Sequence, residues 1–533
     1  MSLRVANLRL SVLEPESALT ESLCRSLGIR QGDLQHWRIL RKSLDLRDKR
    51  DIQFVFSVEA TVPDEDHVLA HAPDRVQIER FSEPPFEMPD SGTEPLPHRP
   101  IVVGSGPAGL AAAYFLARHG YRPLLIERGP PVSTRIRDVA AFDRGGEFQP
   151  ESNYLFGEGG AGTFSDGKLT CRLSGPDVKR ILELFAECKG KPGILYEHRP
   201  HLGSNRLPAV VKAMRQRIEQ LGGEVRFGCR MEDLHLDAGR VTGITTSSGF
   251  MPAGIVVLAP GHSARDTYEM LQRRGVPMVQ KPFQFGLRVE HRQELVNRVQ
   301  YGTLPLEEHL GAADYSLVAH GRNDVFTFCM CAGGFVIPSV SEAGYFCTNG
   351  MSLSKRDSKF ANSGLVVTVP TEAFGSNDVL AGMRLQQQYE RRAFELGRGE
   401  YRVPLQRARD YLEDRSSPSL PETSYPRGAV PADLAEVLPP IVHQAMQHGL
   451  PLLDHRWRGR FLPDAVLAGP EARGSSPVRL LRDEHLREAP GCIGLYPVGE
   501  GAGYAGGIVS AAVDGLRTAK AIIARYTPLQ QAS

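Results

Sequence analysis

The sequence lacks the features that mark membrane, secreted and nucleic-acid-binding proteins. It has no run of about 18 apolar residues, and its first residues are not a basic segment followed by an apolar stretch. A formal net charge of +1 produces no general field that would attract nucleic acid or an anionic membrane. We therefore expect a cytoplasmic protein whose partner is a small-molecule substrate, with neither a membrane nor a nucleic-acid partner.

The chain also has few cysteines and no CxxC pair. Eight cysteines in 533 residues indicate neither a disulfide framework nor a zinc site, so we predict reduced thiols and no metal. Cys329 and Cys331 would share one face of a strand, which makes them candidates for thiol chemistry. A disulfide between them would close a strained ring. Burial of both thiols in the core is the alternative.

A glycine-rich segment at residues 101–109 predicts a dinucleotide-binding βαβ unit. It reads Ile-Val-Val-Gly-Ser-Gly-Pro-Ala-Gly, and a helix over 108–118 follows it. The first glycine permits the tight turn, the second lets the backbone approach a pyrophosphate, and the third lets helix and strand pack closely. The strand over 122–127 ends in a carboxylate that can accept from the hydroxyls of an unphosphorylated ribose. The predicted contacts are Gly104, Gly106, Pro107, Ala108, Gly109, Glu127 and Arg128.

A second glycine-dense turn, at residues 499–507, predicts contact with a flavin. It follows the apolar segment 494–498 and precedes a helix over 508–526. Glu500 can accept from a ribityl hydroxyl, while backbone N–H groups and the helix N-terminus would stabilise the negative charge of a reduced flavin. The predicted contacts here are Gly499, Glu500, Gly507 and Ile508.

A third glycine-dense loop, at residues 156–169, would lie flat against a planar ring system. It ends in Asp166 and Lys168, either of which could contact flavin or substrate. Lys168 is a candidate catalytic residue. Binding of its ammonium to a backbone carbonyl or to the cofactor phosphate is the alternative.

Other polar residues allow both functional and structural interpretations. Strand alternation places Arg288 and Glu290 on one face, where an ion pair would explain both, and leaves His291 as a candidate acid or base. Arg265 could pair with a pyrophosphate, an acidic substrate or a residue of another domain. His262 lies in the expected cofactor shell, and Arg479 could be a polar anchor over the flavin.

The patterning predicts an α/β protein with several domains. Residues 1–62 form a small N-terminal α/β domain, with a helix over 19–27 and a second strand over 51–62. Residues 63–98 form a Pro-rich linker. A split Rossmann-like FAD-binding domain occupies 99–280, with a helix over 209–221 and a small meander, and 475–533. A β-rich α+β substrate domain is inserted at 281–474. The basic stretch 38–50 is interrupted by acidic residues, which favours a solvated helix or turn face over an anion or RNA contact.

Several segments together resemble the bacterial FAD-dependent dehydrogenase-like proteins, relatives of the glutathione-reductase-type flavoproteins. The segments are 153–169 (NYLFGEGGAGTFSDGKL), 261–266 (GHSARD), 328–334 (FCMCAGG), 348–352 (TNGMS), 475–479 (SSPVR) and 496–514. The resemblance spans nearly the whole chain and implies a split FAD domain. It adds Gly160, Ala161 and Gly261 to the expected FAD contacts. Ala332 stands where we expect a proline, a change that should bend a turn.

These patterns predict an FAD-dependent oxidoreductase or dehydrogenase. Noncovalent FAD would accept a hydride from an organic substrate and pass the electrons to oxygen, a quinone or another acceptor. The two later GxGxxG spacings, at 157–162 and 501–506, lie in the segments already assigned to the flavin, so NAD(P)H would have to bind transiently elsewhere if it is the reductant. Two alternatives remain: an NAD(P)H-dependent reductase of a C=C bond, and a flavin-containing binding or sensor protein that acts through residues 1–62.

Overall fold

The computed structural model describes residues 2–71, 76–303 and 306–529. Three sheets organise the chain: a four-stranded N-terminal sheet, a five-stranded parallel sheet and a seven-stranded sheet, called here the large sheet. None of the helices in the described ranges combines the length and apolar character that a membrane crossing requires.

The N-terminal sheet is antiparallel with strand order β2-β3-β1-β4. Its elements alternate as a split βαβ, the arrangement of ferredoxin-like domains. A bulge at Asn7, which has φ +61°, resets the alternation of β1, so that Leu3 and Val5 before it and Leu8 and Leu10 after it are all buried. The elements are β1 Ser2–Ser11, α1 Leu19–Leu27, β2 His36–Asp45, β3 Gln53–Thr61, α2 Glu65–Ala70 and β4 Gln77–Phe81.

Two predictions for this region are wrong. Strand β4 pairs with β1, although the sequence analysis placed its residues in the linker 63–98, of which 72–75 lie outside the described residues. As an edge strand with the sequence QIERF it carries little apolar pattern. Much of the basic stretch 38–50 is strand β2 rather than a helix or turn face, because its partly buried side chains alternate across a sheet.

The parallel sheet has strand order β23-β11-β5-β6-β7 and is covered by helices that include α3 and α13. The predicted meander is the antiparallel set β8, β9 and β10. The elements up to the large sheet are β5 Ile101–Val103, α3 Pro107–Arg118, β6 Leu124–Ile126, α4 Val132–Asp143, α5 Pro176–Glu187, α6 Leu207–Gln220, β7 Glu224–Arg226, β8 Met231–Asp237, β9 Arg240–Thr246, β10 Gly249–Pro252, β11 Val256–Leu258, α7 Arg265–Arg273 and β12 Met278–Gln280.

The large sheet has strand order β14-β15-β18-β13-β21-β19-β20 and carries the most extensive apolar core. Helices α10 and α12 were not predicted; in α12, prolines such as Pro451 read as breaks, whereas α10 contains no proline and was missed inside a segment read as irregular. The elements are β13 Phe283–Arg292, α8 Gln293–Tyr301, α9 Glu307–Leu310, β14 Val318–Ala319, β15 Val325–Cys331, β16 Gly334–Pro338, β17 Thr348–Ser352, β18 Phe360–Val369, α10 Ala381–Leu396, β19 Val403–Arg407, α11 Ala408–Leu412, β20 Ala429–Pro431, α12 Pro440–Arg456 and β21 Val466–Glu471.

The last part of the chain returns from the large sheet to the parallel sheet. Its elements are β22 Val478–Leu480, β23 Leu495–Pro497 and α13 Ile508–Arg525. Strand β22 pairs with β12, and β23 adds to the edge of the parallel sheet beside β11. The turn between β23 and α13 therefore lies at the same carboxyl edge as the turn after β5, where parallel sheets bind ligands.

Candidate cofactor and active site

The turn after β5 has the geometry that a dinucleotide requires. Gly104 has φ +98°, and a Cβ there would lie 2.2 Å from the carbonyl oxygen of Ala259. A Cβ on Gly109 would lie 1.9 Å from the carbonyl oxygen of Gly104, so only glycine permits this approach of α3 to the strand. By contrast, a Cβ on Gly106 would meet no atom of the described residues within 4 Å. The space beside the N-terminus of α3 is open.

Glu127 is the buried acceptor that holds this turn together. Its carboxylate accepts from the Ser105 amide (2.9 Å) and hydroxyl (2.7 Å) and from the amides of Gly129 (2.9 Å) and Gly157 (3.1 Å). These four donors fill the carboxylate's in-plane positions. The Ser105 hydroxyl is the one donor of the four that can rotate away from the carboxylate. It is therefore the donor that a bound ribose hydroxyl would replace. Glu127 as a ribose contact stays a prediction.

Arg128 is committed to protein carboxylates. Its guanidinium donates to Glu151 at 2.6 and 3.1 Å and to Asp266 at 2.9 and 3.0 Å, and it stacks over the ring of Phe156 at 4.1 Å. This network joins the end of β6 to the glycine loop and to α7. The predicted cofactor contact of Arg128 would have to be made alongside these bonds.

The sequence analysis missed Arg135, which organises the glycine loop. The side chain is fully buried in α4, and burial lowers its pKa to about 9. It donates to the carbonyl oxygens of Asn153 (2.8 Å), Gly157 (3.2 Å), Glu158 (2.9 Å) and Gly160 (2.8 Å). No local motif marks this role, because the acceptors belong to a loop whose path depends on the fold.

Gly160 lies against the dinucleotide turn. A Cβ on Gly160, which has φ +62°, would stand 3.2 Å from the Cα of Gly106. The neighbouring Ala161 is exposed, and Gly162 packs beside Ile508, whose Cγ1 would be 3.3 Å from a Cβ there. The structure therefore brings together the three glycine-dense segments at 104–109, 157–162 and 499–508.

We expect Arg135→Lys to weaken FAD binding by about 10- to 100-fold, because one ammonium cannot span four carbonyl groups that a planar guanidinium reaches. The measurement is the fluorescence of FAD released as the holoprotein is diluted. Arg137→Lys is the matched control, since Arg137 is exposed on the same helix. Equal FAD release by the two variants would contradict a role for Arg135 in holding the loop.

The turn after β23 is held from behind by Asp514 of α13. The Gly499 amide donates to this carboxylate at 2.7 Å, and Arg482 binds it through two bonds at 2.7 and 2.9 Å. Burial acts to raise the pKa of Asp514, but its bonds to Arg482 and the charge of Arg487 outweigh that effect and lower it. The carboxylate therefore stays charged and keeps the turn in place. Sequence reasoning missed it because these partners are distant along the chain.

Glu500 remains available at this turn. Its side chain is 29% exposed, and one carboxylate oxygen lies 3.4 Å from Nδ1 of His262. Nε2 of His262 is buried and has no hydrogen-bond partner among the described residues. Gly261 has φ +72°, and its carbonyl oxygen would lie 2.7 Å from a Cβ on Gly501. Gly507 is exposed, and no described side chain caps the free amides at the N-terminus of α13, although the Ser510 hydroxyl donates to the Gly507 carbonyl oxygen at 3.1 Å.

Lys168 connects the glycine loop to the large sheet. Its ammonium donates to the carbonyl oxygen of Met330 and lies 3.1 Å from the carboxylate of Asp166. Ser352 and Arg356 bind the same carboxylate. The Lys168 side chain is still 32% exposed. The expected alternative to a catalytic role, in which the ammonium binds a backbone carbonyl, is thus observed. The Lys168 side chain nevertheless remains partly exposed.

A β-bulge in β15 separates the two candidate thiols. The register passes from Phe328 opposite Gly364 to Cys331 opposite Asn362, so β15 carries an extra residue. Cys329 lies in the bulge with φ +44° and is exposed, whereas Cys331 is fully buried. The prediction that both share one face of a strand is therefore wrong, because the bulge interrupts the alternation.

The electrostatics of this corner keep the buried thiol neutral and the lysine charged. Burial raises the pKa of Cys331. Burial acts to lower the pKa of Lys168, but the neighbouring Cys331 and Asp166 outweigh it and raise that pKa. The buried Cys331 is therefore a neutral thiol and not a thiolate nucleophile.

The polar residues of β13 are structural. Arg288 binds Glu471 through two bonds at 2.7 and 2.9 Å rather than Glu290, which accepts from Ser424, so the predicted ion pair is wrong. His291 is fully buried, and its Nε2 bonds to the carbonyl oxygen of Phe461 at 2.8 Å. Burial lowers the pKa of His291 to about 4. These contacts are those of a core histidine rather than of a catalytic acid or base.

The two remaining arginine candidates have different surroundings. Arg265 forms a buried ion pair with Glu390 of α10 at 2.9 Å. Of its three predicted partners, the observed one is therefore a residue outside the predicted FAD-binding segment 99–280. Arg479 donates to the carbonyl oxygen of Gly503 at 3.2 Å, and its guanidinium lies 5.0 Å from the ring of Tyr504. Arg479 therefore lies at the turn 499–507, and its contact with flavin stays a prediction.

Four of the six basic residues in the stretch 38–50 pair with carboxylates, while Arg41 contacts His198. Arg38 pairs with Glu59 at 2.5 Å and with Glu83 at 3.0 Å, and Lys42 pairs with Glu16 at 2.6 Å. Arg47 and Arg50 pair with Asp45 and Asp48, and Lys49 donates to the carbonyl oxygen of Val299. Such pairing is typical of a solvated surface and a domain contact, and it does not favour RNA binding.

Comparison with known proteins agrees with this geometry. Models described as an NAD(P)-binding Rossmann-like domain, FAD dependent oxidoreductase, and FAD-dependent protein, C-terminal domain-like, match residues 102–161, 172–334 and 282–474. A domain of unknown function (DUF8436) matches residues 2–61. The chain is an FAD-dependent oxidoreductase. It belongs to the same family as an uncharacterized protein of Clostridium beijerinckii, which is 42% identical over 532 residues and covers 99% of each chain.

Other similarities are partial or remote. A segment of 94 residues, 17% of this chain, is 33% identical to a digeranylgeranylglycerophospholipid reductase of Picrophilus torridus and spans 21% of that protein. Among solved structures, glycine oxidase from Bacillus cereus matches with a TM-score of 0.30 and 12% identity, over 80% of this chain and 95% of that one. L-proline dehydrogenase from P. horikoshii matches with a TM-score of 0.34 and 10% identity, over 81% and 93% of the two chains.

The observed residues fit the FAD that this family binds. The open space at Gly106 adjoins the N-terminus of α3, which no described side chain caps, so the first-turn amides are free to bind a phosphate. The N-terminus of α13, the exposed carboxylate of Glu500 and the unpartnered Nε2 of His262 lie at the second turn. The three glycine segments thus form a cradle whose free groups are donors and one acceptor.

Proposed function

We propose that the protein oxidises or reduces a small organic substrate between the parallel sheet and the large sheet. The observation that carries this proposal is the convergence of three glycine-dense turns, one of which belongs to the loop that continues to Lys168 and reaches the large sheet. The proposal includes the domain division, in which residues 99–280 and 475–533 would hold FAD and residues 281–474 would supply the substrate side. Bound FAD supplies a two-electron centre that accepts or donates hydride.

The chain's own residues would bind and orient both molecules. The turn at Gly104–Gly109 and the N-terminus of α3 would hold the pyrophosphate, and Glu500 would accept from the ribityl chain. The N-terminus of α13 would stabilise negative charge at the flavin edge. Lys168, charged and partly exposed, would orient the substrate from the opposite wall. Its bonds to Asp166 and Met330 hold it in position.

The direction of electron flow is tested by mixing the anaerobic holoprotein with NADH and then with NADPH in a stopped-flow spectrometer. We expect no loss of the oxidised-flavin band over minutes, because FAD would occupy all three glycine-dense segments, at 104–109, 157–162 and 499–508. A control reduction with dithionite shows that the flavin is reducible. Rapid bleaching by either nucleotide would contradict a dehydrogenase and would favour a reductase of an electron-poor C=C bond. Purified protein that is colourless and fails to bind added FAD would overturn the proposed function.

A further inference from the structure

The wall around Lys168 has more hydrogen-bond donors than acceptors left over. The acceptors are used: the Asp166 carboxylate binds Ser352, Arg356 and Lys168, and the carbonyl oxygens of Met330 and Cys329 accept from Lys168 and from the Cys331 thiol. Lys168 spends two of its three N–H groups on these partners. The exposed Cys329 thiol is a further weak donor beside it.

A second donor is buried next to this wall. Asn362 lies opposite Cys331 in the strand pair and is fully buried. Its Oδ1 accepts from Arg288 at 2.7 Å, while its Nδ2 has no partner among the described residues. An unpaired buried amide costs free energy unless a ligand or a water molecule satisfies it. Asn362 has no exposed surface, so the donors that a ligand reaches are the Lys168 ammonium and the Cys329 thiol, and these fit a ligand that brings acceptors.

The charges of the wall leave an excess of one positive charge. Lys168 and Arg356 are positive and Asp166 is negative. Arg288 and Glu471 neutralise each other in a buried bidentate pair. His201, which forms a backbone bridge with Lys168, is neutral because burial lowers its pKa to about 4. A singly charged anion would balance this wall, whereas a phosphate dianion would leave one negative charge uncompensated.

We propose that the substrate carries a single carboxylate, which binds to the Lys168 ammonium beside Cys329. This inference rests on the proposed function, since it names the substrate class of the same site. Cys329 acts here as a wall residue and is not oxidised or alkylated in the reaction. Its exposure does, however, provide a chemical reporter for the charge of the site.

The test measures how fast Cys329 reacts in the FAD-bound protein with two methanethiosulfonate reagents, one bearing a sulfonate and the other a trimethylammonium group. Mass spectrometry of the Cys329 peptide follows each reaction. We expect the sulfonate reagent to react at least about tenfold faster, since one nearby positive charge attracts it and repels the cation. In Lys168→Met the ratio of the sulfonate rate to the trimethylammonium rate should fall by at least about tenfold. Cys171, which is partly exposed elsewhere, is the internal control whose ratio should not change.

The second arm asks what protects Cys329 from the uncharged methyl methanethiosulfonate. Propionate should slow the reaction in the wild type, while propionamide, of the same shape without charge, should not. Lys168→Gln, which keeps a polar chain without the charge, should lose the protection and replaces Lys168→Met if that variant fails to retain FAD.

The proposal is overturned if Lys168→Met or Lys168→Gln keeps the wild-type rate ratio, or if propionamide protects as well as propionate. Protection by inorganic phosphate but not by propionate would also overturn it, as would reaction of Cys329 only after FAD is removed. None of these modification-rate measurements requires catalytic turnover by the protein. Failure of the proposed function, seen as a protein without FAD or a flavin that exchanges no electrons, is therefore distinguishable from failure of this inference.

Discussion

Glu390→Gln is expected to lower the free energy of unfolding by about 3–5 kcal/mol, as measured by urea titration. Glu390 is fully buried in α10 and receives two bonds from Arg265 at 2.9 Å each and two from Arg473 at 2.8 and 2.9 Å. Neutral glutamine would leave two guanidinium groups without their shared counter-charge inside the protein. The ion pair between Glu390 and Arg265 also joins α10 to α7. Its loss should therefore make the unfolding of the large sheet and of the part that contains α7 less cooperative.

The matched control is Glu395→Gln on the same helix. Glu395 is 53% exposed and pairs with Arg391 and Arg392 at 3.9 and 3.4 Å, contacts of a kind that contribute less than about 1 kcal/mol. A Glu390→Gln variant no less stable than Glu395→Gln would contradict the assigned role of the buried cluster.

Acid titration should reveal the same cluster. Burial acts to raise the pKa of Glu390, but Arg265 and Arg473 outweigh it and lower that pKa to about 2. Because the folded-state pKa lies below the ordinary value of 4.5, this contribution to stability is complete above pH 4.5 and is lost as the pH falls toward 2. In that interval the stability of Glu390→Gln should fall less steeply than that of the wild type, measured as urea midpoints at a series of pH values.

The parts of the fold that could be predicted are those specified by local patterns. The helix over 19–27 is observed at Leu19–Leu27 and ends at Gly28 in the left-handed conformation, which glycine adopts without strain. The helices predicted at 108–118, 209–221 and 508–526 are likewise observed within two residues of their expected bounds. Close-packed glycines, such as Gly104 and Gly109, were predictable because their spacing has a single steric explanation.

The rest depended on contacts between residues far apart in sequence. Cys329 and Cys331 obey strand alternation in the sequence, but the bulge is set by pairing with β18, which local reasoning cannot see. Arg288 pairs with Glu471 on β21 rather than with the neighbouring Glu290, and Arg135 donates to carbonyl groups of a loop. A buried charge selects its partner after the core has formed, so its role cannot be derived from the spacing of the sequence alone.

Gly106→Val is expected to raise the dissociation constant of FAD by at least about 100-fold, a loss of about 3 kcal/mol in binding. A Cβ at this position meets no described atom within 4 Å, so the side chain would enter the open space beside the N-terminus of α3 where the pyrophosphate binds. The backbone is extended there with φ −68° and ψ 178°, a conformation that valine adopts readily. The variant should therefore fold, and the affinity is measured by fluorescence quenching of added FAD.

Gly32→Val is the control, because a Cβ at Gly32 also meets no described atom within 4 Å and this residue lies in the N-terminal domain. It should bind FAD with wild-type affinity. If Gly106→Val remains yellow after desalting and binds FAD as tightly as Gly32→Val, the open space beside Gly106 is not where the pyrophosphate lies. The pyrophosphate site would then have to be reassigned to the turn at Gly499–Gly507 and the N-terminus of α13. Thermal unfolding of both variants without FAD should show the same single cooperative transition as the wild type, since a Cβ at either position meets no described atom within 4 Å.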